Sequence, residues 1–290
     1  MKLTIKAEQL KFLIIGAGGL GLALRIALYA TGIDGRGLLE SGHWAHIAVW
    51  ILTAAVAVVL LICCRTITGP EELSSAYPPS ATAALGAFAA MIGIGFATGR
   101  EFAEFSSRLH LIVWLVGICS MVALGRIGLC RLTGKKPHFL LHVAVCIYFA
   151  LRMVSRYRLW SSDPQLQDYC FYLTAYVALM LTAYHHAAFD AGMGSHKLLW
   201  FFSLAAVYLC CLSLKGNTDT VLLLGCGVWA FANLTHLIVR PRRQRPALDL
   251  SEDLAKESQE QQLNLSPNDA YEKTHFFLFD FCAAALRLLC

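Results

Sequence analysis

Four histidine and aspartate residues are spaced as the ligands of a metal ion could be. His138 and His142 lie four residues apart, and so do His186 and Asp190, so each pair occupies one face of a helix. Because the two apolar segments that hold them follow each other along the chain, both pairs fall on the same side of a membrane. Three imidazoles and a carboxylate suit zinc, iron or manganese. The sequence has no H-E-x-x-H motif, so interfacial histidines are the alternative to a metal or proton-relay site.

A second group of polar residues lies within apolar segments or at their ends: Arg25, Glu101, Glu104 and Asn233. An ionisable group at membrane depth is costly, so its presence is a functional hypothesis by default. We predict that these residues line a polar path through the membrane.

Structural roles are the alternative for the charged members of that group. Arg25 could extend to the lipid headgroups or pair with an acidic residue of the next loop, Asp34 or Glu40. Glu101 and Glu104 could pair with Arg25, and Glu104 lies four residues before Arg108 on the same helix face.

The segment 16–21, GAGGLG, matches the G-x-G-x-x-G pattern of dinucleotide-binding loops. That pattern needs a strand before it and alternating strands and helices after it, whereas another apolar segment follows here. We therefore predict no cofactor, and we interpret these glycines as a smooth face for helix packing.

These residues must be positioned by membrane-spanning helices. Hydrophobic residues make up 57% of the 290 residues and charged residues only 15%, which excludes an ordinary soluble domain. A span needs about 17 to 25 apolar residues. Eight segments qualify, and they define an all-α polytopic bundle: 12–31, 45–64, 81–98, 109–125, 138–155, 169–188, 198–214 and 220–239.

The distribution of Lys and Arg predicts the orientation of this bundle. With the N-terminus inside, thirteen of these residues lie on the cytoplasmic side and seven on the other, which favours cytoplasmic N- and C-termini. The group Arg152, Arg156 and Arg158 is the exception, since it falls on the outer side.

The chain divides into three regions by composition. Residues 1–245 are the helical bundle, residues 246–274 are acidic and polar and read as a disordered linker, and residues 275–290 form a short amphipathic interfacial segment. The eleven cysteines lie mostly within apolar runs and predict no disulfide framework. The basic charge of the bundle reflects its loops, so we expect no nucleic acid partner.

The stretch from Leu24 to Trp44, LRIALYATGIDGRGLLESGHW, resembles a segment of uncharacterised multi-pass membrane proteins of fermentative Gram-positive bacteria. The resemblance covers about the first third of the chain. It implies a plasma-membrane location and no assigned activity or catalytic residue.

Two classes of function remain open. The first is a non-enzymatic integral membrane protein, either a small-solute transporter-like unit or a subunit of a membrane complex, with the lipid bilayer as its surroundings and a homo-oligomer as one form of assembly. The second is a metal-dependent membrane enzyme whose His/Asp site holds zinc or another divalent metal at the cytoplasmic face. The lack of a recognisable catalytic motif in the loops, and the shortness of those loops, favour the first class.

Overall fold

The computed structural model describes residues 7–32, 43–66, 79–103, 108–160, 166–215 and 219–236. These ranges contain eight helices, one for each apolar segment that the sequence predicts, so the all-α prediction is confirmed. The helices are α1 (Ala7–Thr31), α2 (Trp44–Thr66), α3 (Ala81–Ala103), α4 (Arg108–Thr133), α5 (Phe139–Trp160), α6 (Leu166–Asp190), α7 (His196–Leu212) and α8 (Thr220–His236). Glu104 and the two C-terminal regions, 246–274 and 275–290, lie outside the described residues.

Five of the helices are long and apolar enough to cross a membrane: α1 to α5. Helix α7 and the Thr220–Leu234 part of α8 are apolar but shorter. Because about 20 apolar residues are needed to cross the hydrocarbon layer, these five helices give the chain the character of a multi-pass integral membrane protein. The count of eight spans stays a prediction.

The six helices α3 to α8 form a closed ring of neighbours. Each packs against the next along the chain, and α8 packs extensively against α3, which closes the ring. Helices α1 and α2 lie outside it and pack against each other and against α7. Helices α6 and α8 also touch directly, whereas α3 and α5 meet through side chains that cross the interior of the ring.

Close backbone approach explains the extensive contact between α3 and α8. A methyl group at Gly93 of α3 would lie 2.9 Å from the carbonyl oxygen of Val221 and 3.1 Å from the Cα atom of Leu222. Gly225 of α8 faces the backbone of Ala89 in the same way. Glycine at these positions lets the two backbones touch, which increases the van der Waals contact that holds membrane helices together.

The glycine motif at 16–21 lies in the middle of α1, which is continuous from Ala7 to Thr31. The segment 16–21 therefore forms neither the turn of a dinucleotide-binding loop nor the end of a strand that precedes such a turn. Gly18 and Gly21 contact α7, since a methyl group there would lie 2.9 Å from Cβ of Cys211 and 2.8 Å from Cδ1 of Leu212. The packing interpretation is therefore right for two of the four glycines.

Candidate functional site

A buried group of charged residues and one tyrosine crosses one end of the ring, and we call it the arginine network: Glu101, Arg152, Arg156, Tyr176 and Asp219. Arg152 and Arg156 lie four residues apart on one face of α5, near its C-terminal end. Tyr176 is on α6, Glu101 is near the end of α3, and Asp219 directly precedes α8. Since α3 and α5 are not neighbours in the ring, these side chains meet across its interior.

The Asp219 carboxylate is the centre of this network. Arg156 donates two hydrogen bonds to it, from Nε to Oδ2 at 2.9 Å and from Nη2 to Oδ1 at 2.8 Å. Arg152 Nη2 donates to Oδ1 at 2.6 Å, and Tyr176 Oη donates to Oδ2 at 2.5 Å. The carboxylate thus accepts four hydrogen bonds, two of them in the bidentate geometry that an arginine forms with a planar anion.

Glu101 supplies the second carboxylate of the network. Arg152 Nη1 donates a hydrogen bond to its Oε1, and Nη2 of Arg156 lies 3.9 Å from the same oxygen. The other oxygen lies 3.8 Å from Nε2 of His110, whose side chain is 26% exposed. Two guanidinium groups and two carboxylates therefore balance each other, and His110 connects the network to the surface of the protein.

The charges around Asp219 determine its protonation. Burial alone would raise the pKa of this carboxyl, but Arg152, Arg156 and the hydrogen bond from Tyr176 hold its pKa below the ordinary value. Asp219 precedes the first residue of α8, and it is ionised at neutral pH because the favourable interactions outweigh desolvation.

Near the other end of the ring lies a second polar group, which we call the histidine cluster: Arg131, His142, His186 and Asp190. Nδ1 of His142 lies 3.1 Å from Oδ2 of Asp190, and Nη2 of Arg131 lies 3.8 Å from Oδ1. The rings of His142 and His186 stack with centroids 5.4 Å apart. All four side chains are buried.

The structure brings together three of the four residues that the sequence predicted as metal ligands. His138 does not join them, because it precedes α5, is exposed, and stacks on Phe139. Its Nδ1 accepts a hydrogen bond from the backbone N–H of Leu140, so it acts at the start of the helix. Within the described residues, no group of three or more His, Cys, Asp or Glu side chains is arranged to hold a metal ion. The metal site stays a prediction.

Arg25 lies inside the protein. It is only 1% exposed, and its guanidinium stands over the rings of Tyr29, Phe171 and Tyr172 at 4.9 to 5.8 Å from their centroids. Its Nη1 donates a hydrogen bond to the carbonyl oxygen of Leu212 at 3.4 Å. The alternative in which the Arg25 side chain extends to the lipid headgroups is therefore wrong. Asp34 and Glu40 lie outside the described residues.

The predicted polar path has three further residues, Glu101, Glu104 and Asn233. Glu101 is buried and pairs with Arg152 instead of the expected Arg25. Asn233 is buried as well, and its Nδ2 donates to the carbonyl oxygen of Trp229 one turn earlier in α8. Glu104 is outside the described residues.

Aromatic side chains occupy the interior between the two polar groups. Trp229 of α8 lies against both histidines, with centroids 6.4 Å from His142 and 5.4 Å from His186. Tyr148 is fully buried on α5, one turn before Arg152. His142 and Arg152 are ten positions apart on α5, which corresponds to about 15 Å of helix. The two polar groups are therefore separate sites along one interior.

Sequence reasoning missed the partners in both groups. In the sequence, Arg152 and Arg156 are notable only as basic residues on the side predicted to be outside, and no motif distinguishes Asp219, Tyr176 or Arg131. The spacing of Arg152 and Arg156 on α5 was a usable signal, since two arginines four residues apart in a membrane helix need anionic partners. The position of those partners depends on which helices pack together.

The fold and these sites define the class as multi-pass, all-α integral membrane proteins with buried ion pairs. Comparison of the chain with protein-family models, with curated proteins and with solved structures finds no match.

Proposed function

We propose that this chain is a non-enzymatic, transporter-like membrane protein and that a small solute passes through the interior of the ring formed by α3 to α8. One observation carries the proposal. Charged side chains from helices that are not neighbours meet across that interior at two levels, in the arginine network and in the histidine cluster.

The cost of burying charge supports a functional role for both groups. Removing two ions from water costs several kcal/mol for each ion, and packed apolar side chains of similar volume often stabilise a protein equally well. Ionisable residues inside membrane proteins face the bundle interior or a cavity and mark solute and ion pathways. The ring has such residues along its interior, whereas its lipid-facing side chains are apolar, for example Leu85, Ile92 and Val122.

The proposed arrangement in the membrane follows from the sequence. We place all eight helices across the plasma membrane, because α6, α7 and α8 belong to the same ring as α3 to α5. The Lys and Arg distribution supports cytoplasmic termini, and the resemblance of 24–44 supports the plasma membrane. In this orientation the arginine network is near the outer face and the histidine cluster near the cytoplasmic face.

Solute flux in proteoliposomes tests the proposal. Vesicles with the purified full chain are shifted into hyperosmotic potassium lactate, glycine, glycerol or potassium chloride, and their re-swelling is followed by light scattering. We expect faster re-swelling than in protein-free vesicles for at least one of these solutes. Glu101→Gln should slow it, while the control His46→Gln should not, since His46 is on α2 outside the ring.

Two results would contradict the proposal. One is re-swelling at the protein-free rate for all four solutes, which would favour a subunit of a membrane complex. The other is accelerated re-swelling that Glu101→Gln leaves unchanged, because the solute would then take a path outside the ring.

A further inference from the structure

We propose that Arg152, Arg156 and Tyr176 form a binding site for a small carboxylate solute, and that Asp219 is an internal ligand which occupies this site until the solute replaces it. The inference rests on the proposed function, since it names the class of solute that passes through the ring.

The geometry at Asp219 is that of carboxylate recognition. Each of its two oxygens accepts two hydrogen bonds, and the donors are two guanidinium groups and a phenol. Any planar carboxylate of similar size can accept the same four bonds. A neutral amide cannot, because its NH₂ group would face a donor.

The donors and their ligand come from different parts of the ring. Arg152 and Arg156 are on α5 and Tyr176 is on α6, two helices that pack directly against each other. Asp219 comes from the residue that precedes α8. Withdrawal of Asp219 would therefore leave the three donors side by side.

A second contact holds the site in place without Asp219. Arg152 also donates to Glu101 on α3, so its guanidinium remains anchored when the Asp219 carboxylate leaves. Two guanidinium groups and one carboxylate would then remain, with a net charge of +1. In the protein interior, where the effective dielectric constant is low, this charge strongly favours an incoming anion.

The site also has a connection to the surface. His110 lies 3.8 Å from Glu101 and its side chain is 26% exposed, whereas Glu101 and Arg152 are buried. We place the entry of the solute beside His110, which is one side chain away from the arginine network.

Formate is the probe for this proposal, because it is the smallest carboxylate. Its affinity is measured by isothermal titration on the detergent-solubilised full chain, for the wild type and for Asp219→Ala. With an internal ligand, the apparent affinity equals the intrinsic affinity multiplied by the fraction of molecules in which the site is open. We expect Asp219→Ala to bind formate at least about tenfold more tightly than the wild type.

Thr53→Val is the control. Thr53 also forms a hydrogen bond between two helices, with Tyr208 at 2.9 Å, but it is uncharged and lies on α2, outside the ring. We expect this variant to bind formate as the wild type does. Adding Arg156→Gln to Asp219→Ala should abolish the tight binding, and formamide should not bind to either protein.

Equal formate affinity of the Asp219→Ala and Thr53→Val proteins would overturn the proposal. So would tight binding that survives Arg156→Gln. If Asp219→Ala fails to fold, Asp219→Asn replaces it with the same expectation, because one carboxamide oxygen satisfies fewer donors than a carboxylate. The titration requires no transport, so it can succeed or fail independently of the flux that tests the proposed function.

Discussion

At the scale of single residues, the arginine network shows how a membrane protein accommodates two arginines near the end of one helix. Arg152 and Arg156 are each paired with carboxylates from other parts of the chain, and Asp219 is shared by both. The arrangement neutralises charge that would otherwise be costly inside the ring. Its individual bonds make specific predictions about stability.

We expect the replacement Arg152→Met to destabilise the protein by about 3–5 kcal/mol, because it leaves Glu101 and Asp219 buried with a single guanidinium between them. Thermal or denaturant unfolding in detergent measures the change. Arg158→Met is the control, since Arg158 is exposed on the same helix, and it should change stability by less than about 0.5 kcal/mol. If the two replacements changed stability equally, the buried ion pairs of Arg152 would contribute no more to stability than an exposed arginine does.

The lowered pKa of Asp219 predicts how acid affects stability. A carboxyl whose pKa is lower in the folded than in the unfolded protein stabilises the fold above its ordinary value, 3.8, and this contribution is lost as the pH falls through the folded value. The difference in unfolding temperature between the wild type and Asp219→Asn should therefore be constant from neutral pH to about 4 and shrink below it. A difference that disappears already between pH 7 and 5 would contradict the assignment.

At the scale of helices, the sequence predicts the elements well and their pairing poorly. All eight apolar segments form helices because their length and composition determine this locally. Asp219 and Arg156 are 63 positions apart, and only the closure of the ring by α3 and α8 brings them together. The glycines show the same limit: Gly95 and Gly99 lie four residues apart on α3, a spacing typical of close helix packing, but no described atom would lie within 4 Å of a methyl group at Gly99.

The contact between α3 and α8 makes a prediction at this scale. Gly93→Ala should destabilise the protein by about 1–3 kcal/mol, because the added methyl group meets the backbone of Val221 and Leu222, which cannot yield as a side chain can. Gly19→Ala is the control, since a methyl group there would meet no described atom within 4 Å. Helix propensity should make that variant neutral or up to about 1 kcal/mol more stable. Unfolding in detergent compares the two, and equal stability would contradict the close approach.

At the scale of the whole molecule, the structure explains why basic residues occur at the end of α5, on the side predicted to be outside. Arg152 and Arg156 are buried and paired with carboxylates, so they do not act as loop charges that fix topology. The remaining distribution of Lys and Arg favours cytoplasmic termini more clearly.

This orientation can be tested with exposed lysines. Lys135 and Lys136 lie between α4 and α5 on the predicted cytoplasmic side, and Lys215 follows α7 on the predicted outer side. A membrane-impermeant amine-reactive reagent added to intact cells should modify Lys215 and should reach the other two only after permeabilisation. Peptide mass spectrometry identifies the modified residues. The reverse pattern would invert the predicted topology.

Uptake of radiolabelled lactate into proteoliposomes tests the central claim most directly, with lactamide as its neutral counterpart. If a carboxylate solute passes through the ring by way of the arginine network, wild-type protein takes up lactate well above protein-free vesicles and lactamide at the background rate. Arg156→Gln should lower lactate uptake by about tenfold or more, since the bidentate contact is lost. Lactate uptake equal to that of protein-free vesicles, or unaffected by Arg156→Gln, would contradict the account.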